Sequence, residues 1–124
     1  MRKNISSGYE YEDEFGYSRA VRAGNFVFVS GTTARQPHLK GDAYVQAQAA
    51  LETISQALQK ADASLQDVVK TVIYVRDMAD APLIARAHSE SFDTFRPVST
   101  LVEVSRLTPE EARVEIEVTA IIQE

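Results

Sequence analysis

Three glutamates near the C-terminus could do chemistry because they lie at fixed positions in strongly alternating segments. Glu103 lies in the segment 98–104, whereas Glu115 and Glu117 lie in 114–122. A period of two in β-branched residues indicates strands, so Glu115 and Glu117 share one strand face. A carboxylate in a partly dry cleft can orient or activate a water molecule as a general base. The alternative for Glu115 and Glu117 is a solvent-facing pair whose like charges repel unless one of them is paired. Glu103 is expected to form an ion pair with Arg106, Arg113 or a neighbouring chain.

The two histidines, His38 and His88, do not form a recognisable pair. They lie in different predicted elements without ligand-like spacing, and the chain has no cysteine. Zinc sites and nucleophilic dyads are built from clustered His, Cys and carboxylate side chains. No phosphate loop, nucleophile elbow or dinucleotide fingerprint occurs in the sequence. We therefore expect neither a metal nor another cofactor.

The elements that must position these side chains follow the order β-β-α-β-α-β-β. Residues 17–23 and 26–30 alternate like two strands, and a Gly-Asn pair between them supplies the positive φ angles of a tight turn. An amphipathic helix is predicted over 43–61 because apolar residues recur there at three- and four-residue steps. The segment 68–76 is the richest in β-branched residues, so we expect a central strand there.

A second helix and two more strands complete the predicted order. Asp80 can cap this helix, with Pro82 near its first position and an apolar stripe that runs to Phe95. The strands 97–104 and 114–122 follow, joined by a Thr-Pro-Glu-Glu cluster that suits a turn. An antiparallel hairpin is therefore predicted between these last two strands.

Composition limits the chain to one domain. A length of 124 residues with 44% hydrophobic content can bury one sizeable core but not two. We predict a single α+β domain over 1–124, with two helices on one face of a mixed sheet and residues 1–15 as a tail or edge segment that docks through its tyrosines. The other sheet face then needs cover, which self-association would supply. The apolar sheet residues behind this expectation are Ile73, Val75, Val102, Val104, Ile116 and Val118.

Net charge and hydropathy bear on the partners and the location of the protein. The formal charge is -5 and the basic residues are scattered, whereas nucleic-acid binding depends on clustered Lys and Arg. No segment approaches the ~18 apolar residues of a membrane span, and the polar N-terminus lacks the apolar core of a signal peptide. We therefore expect a cytoplasmic protein that binds neither nucleic acid nor membrane.

Five segments match motifs that occur in the same order in a known family. They are GYSRAV at 16–21, FVFVSG at 26–31, ASLQDVVKT at 63–71, PVSTLVEV at 97–104 and VEIE at 114–117. From about Gly16 onward the chain resembles the Rid family (YjgF/YER057c/UK114). The resemblance implies the chorismate-mutase-like fold of that family and a homotrimer whose sheets face inward, with clefts between neighbouring subunits. It also implies a small-molecule ligand and the hydrolysis of an imine or enamine C=N bond, which releases ammonia.

The resemblance further implies a set of cleft residues. Glu115 matches the family's glutamate that positions or activates the attacking water. Tyr17 and Ser30 match a residue of the pocket wall and a hydroxyl near the ligand. Gly31 follows Ser30 and lets the backbone approach a ligand closely. Ordinary strand packing is the alternative for Tyr17.

Position 99 departs from the family pattern. The well-characterised imine deaminases carry Arg there, and its planar donor fork holds the carboxylate of the substrate. This chain has Ser99, followed by Thr100, and both are expected to line the ligand cleft. A small polar strand residue without a ligand role is the alternative for Ser99. The resemblance therefore implies a deaminase whose substrate differs from the usual short imino acids.

Three other arginines are candidates to replace the missing cation. Arg86 lies on the second predicted helix, where the deaminases often carry Asn, and Arg19 shares a strand face with Tyr17. Arg96 precedes Ser99 by three residues, and this odd offset places it on the opposite strand face. Arg86 is therefore the preferred candidate, and an ion pair at the surface is the alternative for each arginine.

Two functions are consistent with the sequence. The first is a hydrolytic deaminase in which Glu115 orients the attacking water. The second is a non-catalytic trimer that binds a small metabolite, such as a carboxylate or imine, or a protein partner in the same clefts. An arginine that points into the cleft, Arg86 or Arg19, would favour carboxylate recognition and the first function. An RNA-cleaving or translation-inhibiting protein is disfavoured by the charge and by the lack of a histidine pair.

Overall fold

Six strands form one mixed sheet, and two long helices cover one of its faces. The structure is a computed structural model that describes residues 1–123. The elements are β1 (Arg2–Ile5), α1 (Glu10–Phe15), β2 (Ala20–Ala23), β3 (Phe26–Thr32), α2 (Ala43–Lys60), β4 (Val68–Val75), α3 (Ala81–Phe92), β5 (Val98–Glu103) and β6 (Val114–Ile121). The predicted single α+β domain with a mixed sheet and helices is confirmed.

The first half of the sheet is a meander of antiparallel strands. β2 and β3 pair with Ala23 opposite Phe26, so the predicted two-residue turn is confirmed, but Gly24 alone of the two turn residues has a positive φ, of 61°. β1 extends this sheet by pairing with β2, which gives the N-terminal segment the edge position that was one of its two predicted placements. The short helix α1, which follows β1, was not predicted.

The predicted hairpin between the last two strands is wrong. β5 pairs in parallel with β4, whereas β6 lies between β3 and β4 and is antiparallel to both. Parallel neighbours need a long crossover connection, and α3 supplies it between β4 and β5. Residues 104–113 then carry the chain past the end of β4 to β6. The buried strand β6 therefore occupies the middle of the sheet, and the exposed strand β5 its edge.

The core lies between the helices and the sheet. The predicted stripe of α2 is confirmed, because Ala47, Leu51, Ile54 and Leu58 are at most 3% exposed. Asp80 occupies the N-cap position of α3, although its side chain makes no capping hydrogen bond. The helix ends at Phe92, so Phe95 lies beyond it and is 42% exposed rather than buried.

The open face of the sheet carries a different apolar set from the one predicted. Ile73, Val75, Ile116 and Val118 are buried under the helices, which leaves Val102 as an exposed member of the predicted group. Alternation places two pairs of large apolar side chains on the open face, one at each side of it: Phe26 and Phe28 on β3, and Val98 and Val102 on β5. Along the chain from residue 1 to 123, no helix combines the length and the apolar character that crossing a membrane requires.

Candidate functional site

A cleft of about 260 Å³ lies where β3 and β6 approach the N-terminal helix α1. We call it the Glu115 cleft. Its floor comes from the end of β3 and the start of β6, and its wall comes from aromatic side chains of the N-terminal segment. It is lined by Tyr9, Tyr11, Phe15, Tyr17, Arg19, Ser30, Gly31, Thr32, Thr33, Arg35, Thr108 and Glu115.

The carboxyl group of Glu115 packs directly against the backbone of Gly31. A β-carbon at position 31 would lie 2.8 Å from Glu115 Cδ and closer still to its Oε2, so any side chain there would displace the carboxylate. The φ angle of Gly31 is not in the left-handed region, and the glycine is required here by space alone. The Glu115 carboxylate can therefore occupy this position because residue 31 of strand β3 has no side chain.

The surroundings of Glu115 favour its protonated form. Burial raises the pKa of Glu115, the charge of Glu117 raises it further, and the charge of Arg19 opposes both. Glu117 lies two residues along the same strand face and accepts a hydrogen bond of 2.6 Å from the Tyr74 hydroxyl. A carboxyl group whose pKa is shifted toward neutrality is suited to accept and return a proton near physiological pH.

Arg19 connects the cleft residues to one another. Its side chain is buried, and Nη1 donates to the Gly31 carbonyl at 2.9 Å and to Thr32 Oγ1 at 3.0 Å. Nη2 donates to the Tyr17 hydroxyl at 3.0 Å. Because the Tyr17 oxygen accepts from Arg19, the phenolic O–H can be donated into the cleft.

Glu12 holds the N-terminal segment against this network. Its carboxylate lies 3.3 Å from Arg19 Nε and also accepts from Ser6 Oγ and from both the backbone and the hydroxyl of Ser7. Burial alone would raise the pKa of Glu12, but the hydrogen bonds from Ser7 and Ser6 and the charge of Arg19 outweigh it, so the pKa is lowered. The predicted docking through tyrosines is therefore incomplete, because a buried ion pair anchors the segment whose tyrosines line the cleft.

Four of the predicted site residues come together in one chain. Tyr17, Ser30, Gly31 and Glu115 all line the cleft. Ser30 Oγ donates to the Ser18 carbonyl at 2.7 Å, so this hydroxyl can still act as an acceptor.

The two predicted residues of β5 lie outside the Glu115 cleft of the same chain. Ser99 Oγ accepts a hydrogen bond of 2.7 Å from Thr71 Oγ1, which in turn is 2.9 Å from His88 Nε2. These contacts place Ser99 on the helix side of the sheet, whereas Thr100 alternates onto the open face. Strand β4 separates both residues from β6, so a meeting with Glu115 would require a second copy of the chain.

The preferred replacement cation is not in the Glu115 cleft. Arg86 lies on the outer side of the helix layer, where it pairs with Glu90 at 3.7 Å and stacks over the Tyr44 ring at 4.1 Å. Arg96 pairs with Asp93 at 3.0 Å. Of the three arginines considered from the sequence, Arg19 lines the cleft.

Sequence reasoning missed two charged residues of the site: Arg35, which lines the cleft, and Glu12, which lies behind it and pairs with Arg19. Both lie in segments without clear periodicity, and their roles depend on contacts between β3, its following loop and the N-terminus. Arg35 donates from Nη2 to Ser7 Oγ at 2.6 Å and stacks 4.3 Å from the centre of the Tyr9 ring. The one available signal was the cluster of tyrosines in residues 9–17, which indicated docking but not a partner.

A mixed sheet with two helices on one face and a charged, aromatic cleft at its other face defines a small α+β protein with a candidate site at the sheet surface. The family model described as Endoribonuclease L-PSP matches residues 10–122. Our structure superposes on the crystal structure of Rv2704, a YjgF/YER057c/UK114 family member from Mycobacterium tuberculosis, with a TM-score of 0.92. The two sequences are 42% identical, and the match covers 98% of this chain and 100% of that chain. The chain therefore belongs to the Rid family, also called YjgF/YER057c/UK114.

Two curated relatives of this chain have names that state an activity. One is the 3-aminoacrylate deaminase RutC of Acinetobacter baylyi, which is 37% identical over 98 residues and matches 76% of this chain and 78% of that protein. The other is a 2-iminobutanoate/2-iminopropanoate deaminase of Dermatophagoides farinae, which is 33% identical over 111 residues, with 86% of each chain covered. Both names describe the release of ammonia from a carbon–nitrogen compound.

Proposed function

We propose that this protein is a hydrolytic deaminase of a reactive imine or enamine, with Glu115 as the group that orients and activates water. The observation that carries the proposal is the half-buried Glu115 carboxyl, with its raised pKa, held against Gly31 in a cleft that also presents a phenolic hydroxyl. Two relatives named as deaminases of enamine or imine acids support the same reaction class.

The proposed reaction needs one base and one donor. Water adds to the carbon of the C=N bond while Glu115 accepts one of the water protons. Return of this proton to nitrogen gives a carbon that carries a hydroxyl and an amino group. Glu115 then transfers the hydroxyl proton to the amino group, so that the C–N bond breaks, ammonia leaves and a carbonyl forms. Tyr17, whose oxygen is already occupied by Arg19, donates its O–H to the substrate nitrogen or to the developing hydroxyl. These compounds also hydrolyse without an enzyme, so a sparse site can supply the modest acceleration required.

The substrate differs from that of an Arg-containing deaminase in this proposal. Ser99 has no charge, and its hydroxyl is already engaged by Thr71. A carboxylate bound at position 99 would therefore lose a bidentate, charge-assisted contact. We expect hydrolysis of 2-iminopropanoate or 2-iminobutanoate far below that of a relative with Arg at this position.

The cleft is completed by a second copy of the chain in this proposal. The exposed pairs Phe26/Phe28 and Val98/Val102 give the open face apolar surface that association would cover. A homotrimer of the kind the resemblance implies would bring Ser99 or Thr100 of one subunit toward the Glu115 cleft of the next. A cytosolic location and the absence of nucleic-acid and membrane partners stay predictions.

The cleft chemistry favours the deaminase over the alternatives. An uncharged cleft would have favoured a non-catalytic binder, but Arg19 and Arg35 both line this one. The family model carries the name endoribonuclease. Nothing in the charge of -5 supports RNA binding, and the described lining residues of the cleft include no histidine.

Turnover tests the proposal directly. The protein, at a concentration well below that of the substrate, is added to imines generated in situ from alanine, 2-aminobutyrate and phenylalanine by an amino-acid oxidase, and ammonia release is followed. We expect multiple turnovers with at least one imine and no cleavage of RNA in a parallel reaction. Saturable binding without turnover would support the non-catalytic binder instead.

A further inference from the structure

Arg35 is a cation in the Glu115 cleft without a carboxylate partner. It lies in the loop that follows β3, is half-buried, and donates from Nη2 to Ser7 Oγ. None of the ion pairs found within residues 1–123 includes it. Burial lowers the pKa of the Arg35 guanidinium, and the neighbouring charge of Arg19 lowers it further, whereas the charge of Glu12 opposes both. A half-buried positive charge without a directly bonded counterion gains free energy when an anion binds beside it.

Arg19, in contrast to Arg35, is not available to bind an anion. Its charge is balanced by Glu12 at 3.3 Å, and its donors are given to Glu12, Gly31, Thr32 and Tyr17. Its side chain is 2% exposed. Arg19 therefore organises the cleft from below, and Arg35 is left as the arginine that can receive a ligand.

The contact of Arg35 with the Tyr9 ring restrains the guanidinium group that would bind a carboxylate. The guanidinium carbon lies 4.3 Å from the centre of the Tyr9 ring, and this cation–π contact, together with the hydrogen bond to Ser7, restrains the group. The edge of a guanidinium held in this way presents parallel N–H donors, which match the two oxygens of a carboxylate. Lysine or a mobile surface arginine would lack this preorganisation.

An aromatic cluster adjoins Arg35 at the mouth of the cleft. Tyr9 and Tyr11 have ring centroids 5.0 Å apart, and Tyr11 and Phe15 meet edge to face at 5.8 Å. Phe15 is 70% exposed, an unusual position for a phenylalanine in a short helix. The volume of about 260 Å³ lies just below the ~300 Å³ at which pockets for larger organic ligands begin, so the cleft suits a ligand with about one ring.

We propose that the Glu115 cleft selects imino or enamino acids with an aromatic side chain, whose carboxylate is bound by Arg35 and whose ring packs against Tyr9, Tyr11 and Phe15. The assignment of this ligand as a substrate rests on the hydrolytic function proposed above. The carboxylate site in this arrangement belongs to the same chain as Glu115, in contrast to position 99.

Three product analogues test the binding of ligand by titration calorimetry without any need for turnover. Phenylpyruvate carries both the ring and the carboxylate, phenylacetone lacks the carboxylate, and pyruvate lacks the ring. We expect phenylpyruvate to bind more tightly than either of the others by about 10-fold or more, because one charge-assisted contact or one packed ring is then missing. Equal affinities for phenylpyruvate and phenylacetone would overturn the role of Arg35, and this comparison needs no variant to fold.

Variants separate the two contacts. Arg35→Gln should weaken phenylpyruvate binding about 10- to 100-fold and leave phenylacetone binding unchanged. Phe15→Ala, at an exposed position, should weaken phenylpyruvate about 3- to 10-fold and leave pyruvate unchanged. Arg2→Gln, on the exposed strand β1, is the matched control for loss of a positive charge and should bind like the wild type. An undiminished affinity of Arg35→Gln for phenylpyruvate would overturn the proposal.

Kinetics distinguish a failure of this inference from a failure of the proposed function. If the imine of phenylalanine is hydrolysed and Arg35→Gln raises its KM with little change in kcat, both stand. Tight, Arg35-dependent binding of phenylpyruvate without any imine turnover would support the carboxylate site and contradict the deaminase. Turnover with the same KM in Arg35→Gln would support the deaminase and contradict the carboxylate site.

Discussion

Replacing Gly31 by alanine should displace the Glu115 carboxyl group without much change in the stability of the fold. A β-carbon at position 31 would lie 2.8 Å from Glu115 Cδ, whereas carbon atoms in ordinary contact are about 3.5–4.0 Å apart. The carboxyl group must therefore move by about 1 Å. Because the φ of Gly31 is not left-handed and the atoms it meets belong to the end of a side chain, the backbone itself can accept alanine.

The effect on catalysis follows from that displacement. A misplacement of about 1 Å in a reacting group can cost on the order of 100-fold in rate, which corresponds to about 2.7 kcal/mol of transition-state stabilisation. The cost to folding should be much smaller, about 1 kcal/mol or less, since no buried group is removed. We therefore expect a large loss of kcat with an almost unchanged midpoint of thermal unfolding.

Steady-state ammonia release by wild type and Gly31→Ala, measured beside thermal unfolding, is the assay. The double variant Gly31→Ala/Glu115→Ala provides a stability control, because the alanine at 31 then no longer meets a carboxyl group and should change the unfolding midpoint of Glu115→Ala very little. A Gly31→Ala protein with the kcat of the wild type would refute the argument that the close approach of strand β3 sets the position of Glu115. A large further loss of stability in the double variant would show that the alanine acts elsewhere in the cleft.

Three further changes test other parts of the account. Glu117→Gln removes a negative charge that raises the pKa of Glu115, so the acidic limb of the pH–rate profile should move to lower pH; an unmoved limb would exclude this coupling. Glu12→Gln leaves Arg19 as a buried charge without its partner and should lower the free energy of unfolding at pH 7 by about 3 kcal/mol in urea titrations. Since the pKa of Glu12 is lowered on folding, this difference is present above its ordinary value of 4.5 and should shrink as the pH falls through the folded pKa; a difference independent of pH would contradict the ion pair. Ser99→Arg should raise hydrolysis of 2-iminopropanoate if the rest of the cleft is intact, and an unchanged rate would mean that the pocket has diverged beyond that position.

Much of the fold follows from the periodicity of apolar residues, but periodicity did not predict how the last two strands pair. Alternation located β5 and β6 well, because it reports which residues of a strand share a face. It contains no information about which strand is the neighbour. The helix between β4 and β5 was the missed signal, since a strand, a helix and a strand in succession favour a parallel crossover. The complete burial of alternate residues in β6 is a property of the assembled sheet.

The residues of the candidate site were predictable where a family motif lies in or beside a strand. Tyr17, Ser30, Gly31 and Glu115 were predicted because they match family motifs in or beside strands, and the structure places all four in one cleft. Glu12 and Arg35 lie in segments that pack only through tertiary contacts, so neither the 3.6-residue nor the two-residue period marks them. Arg86 was preferred as the replacement cation from its position on a helix, but its actual partners, Glu90 and Tyr44, come from the outer side of the helix layer.

The central claim is that the Glu115 carboxyl performs C=N hydrolysis. The most direct measurement compares initial rates of ammonia release from an imine by Glu115→Gln and by Glu110→Gln, a charge-matched change at an exposed loop position. We expect Glu115→Gln to reduce catalysis to the uncatalysed background, because an amide cannot accept the water proton, and Glu110→Gln to retain the wild-type rate. A Glu115→Gln protein that releases ammonia as fast as the wild type would contradict the proposed role of Glu115.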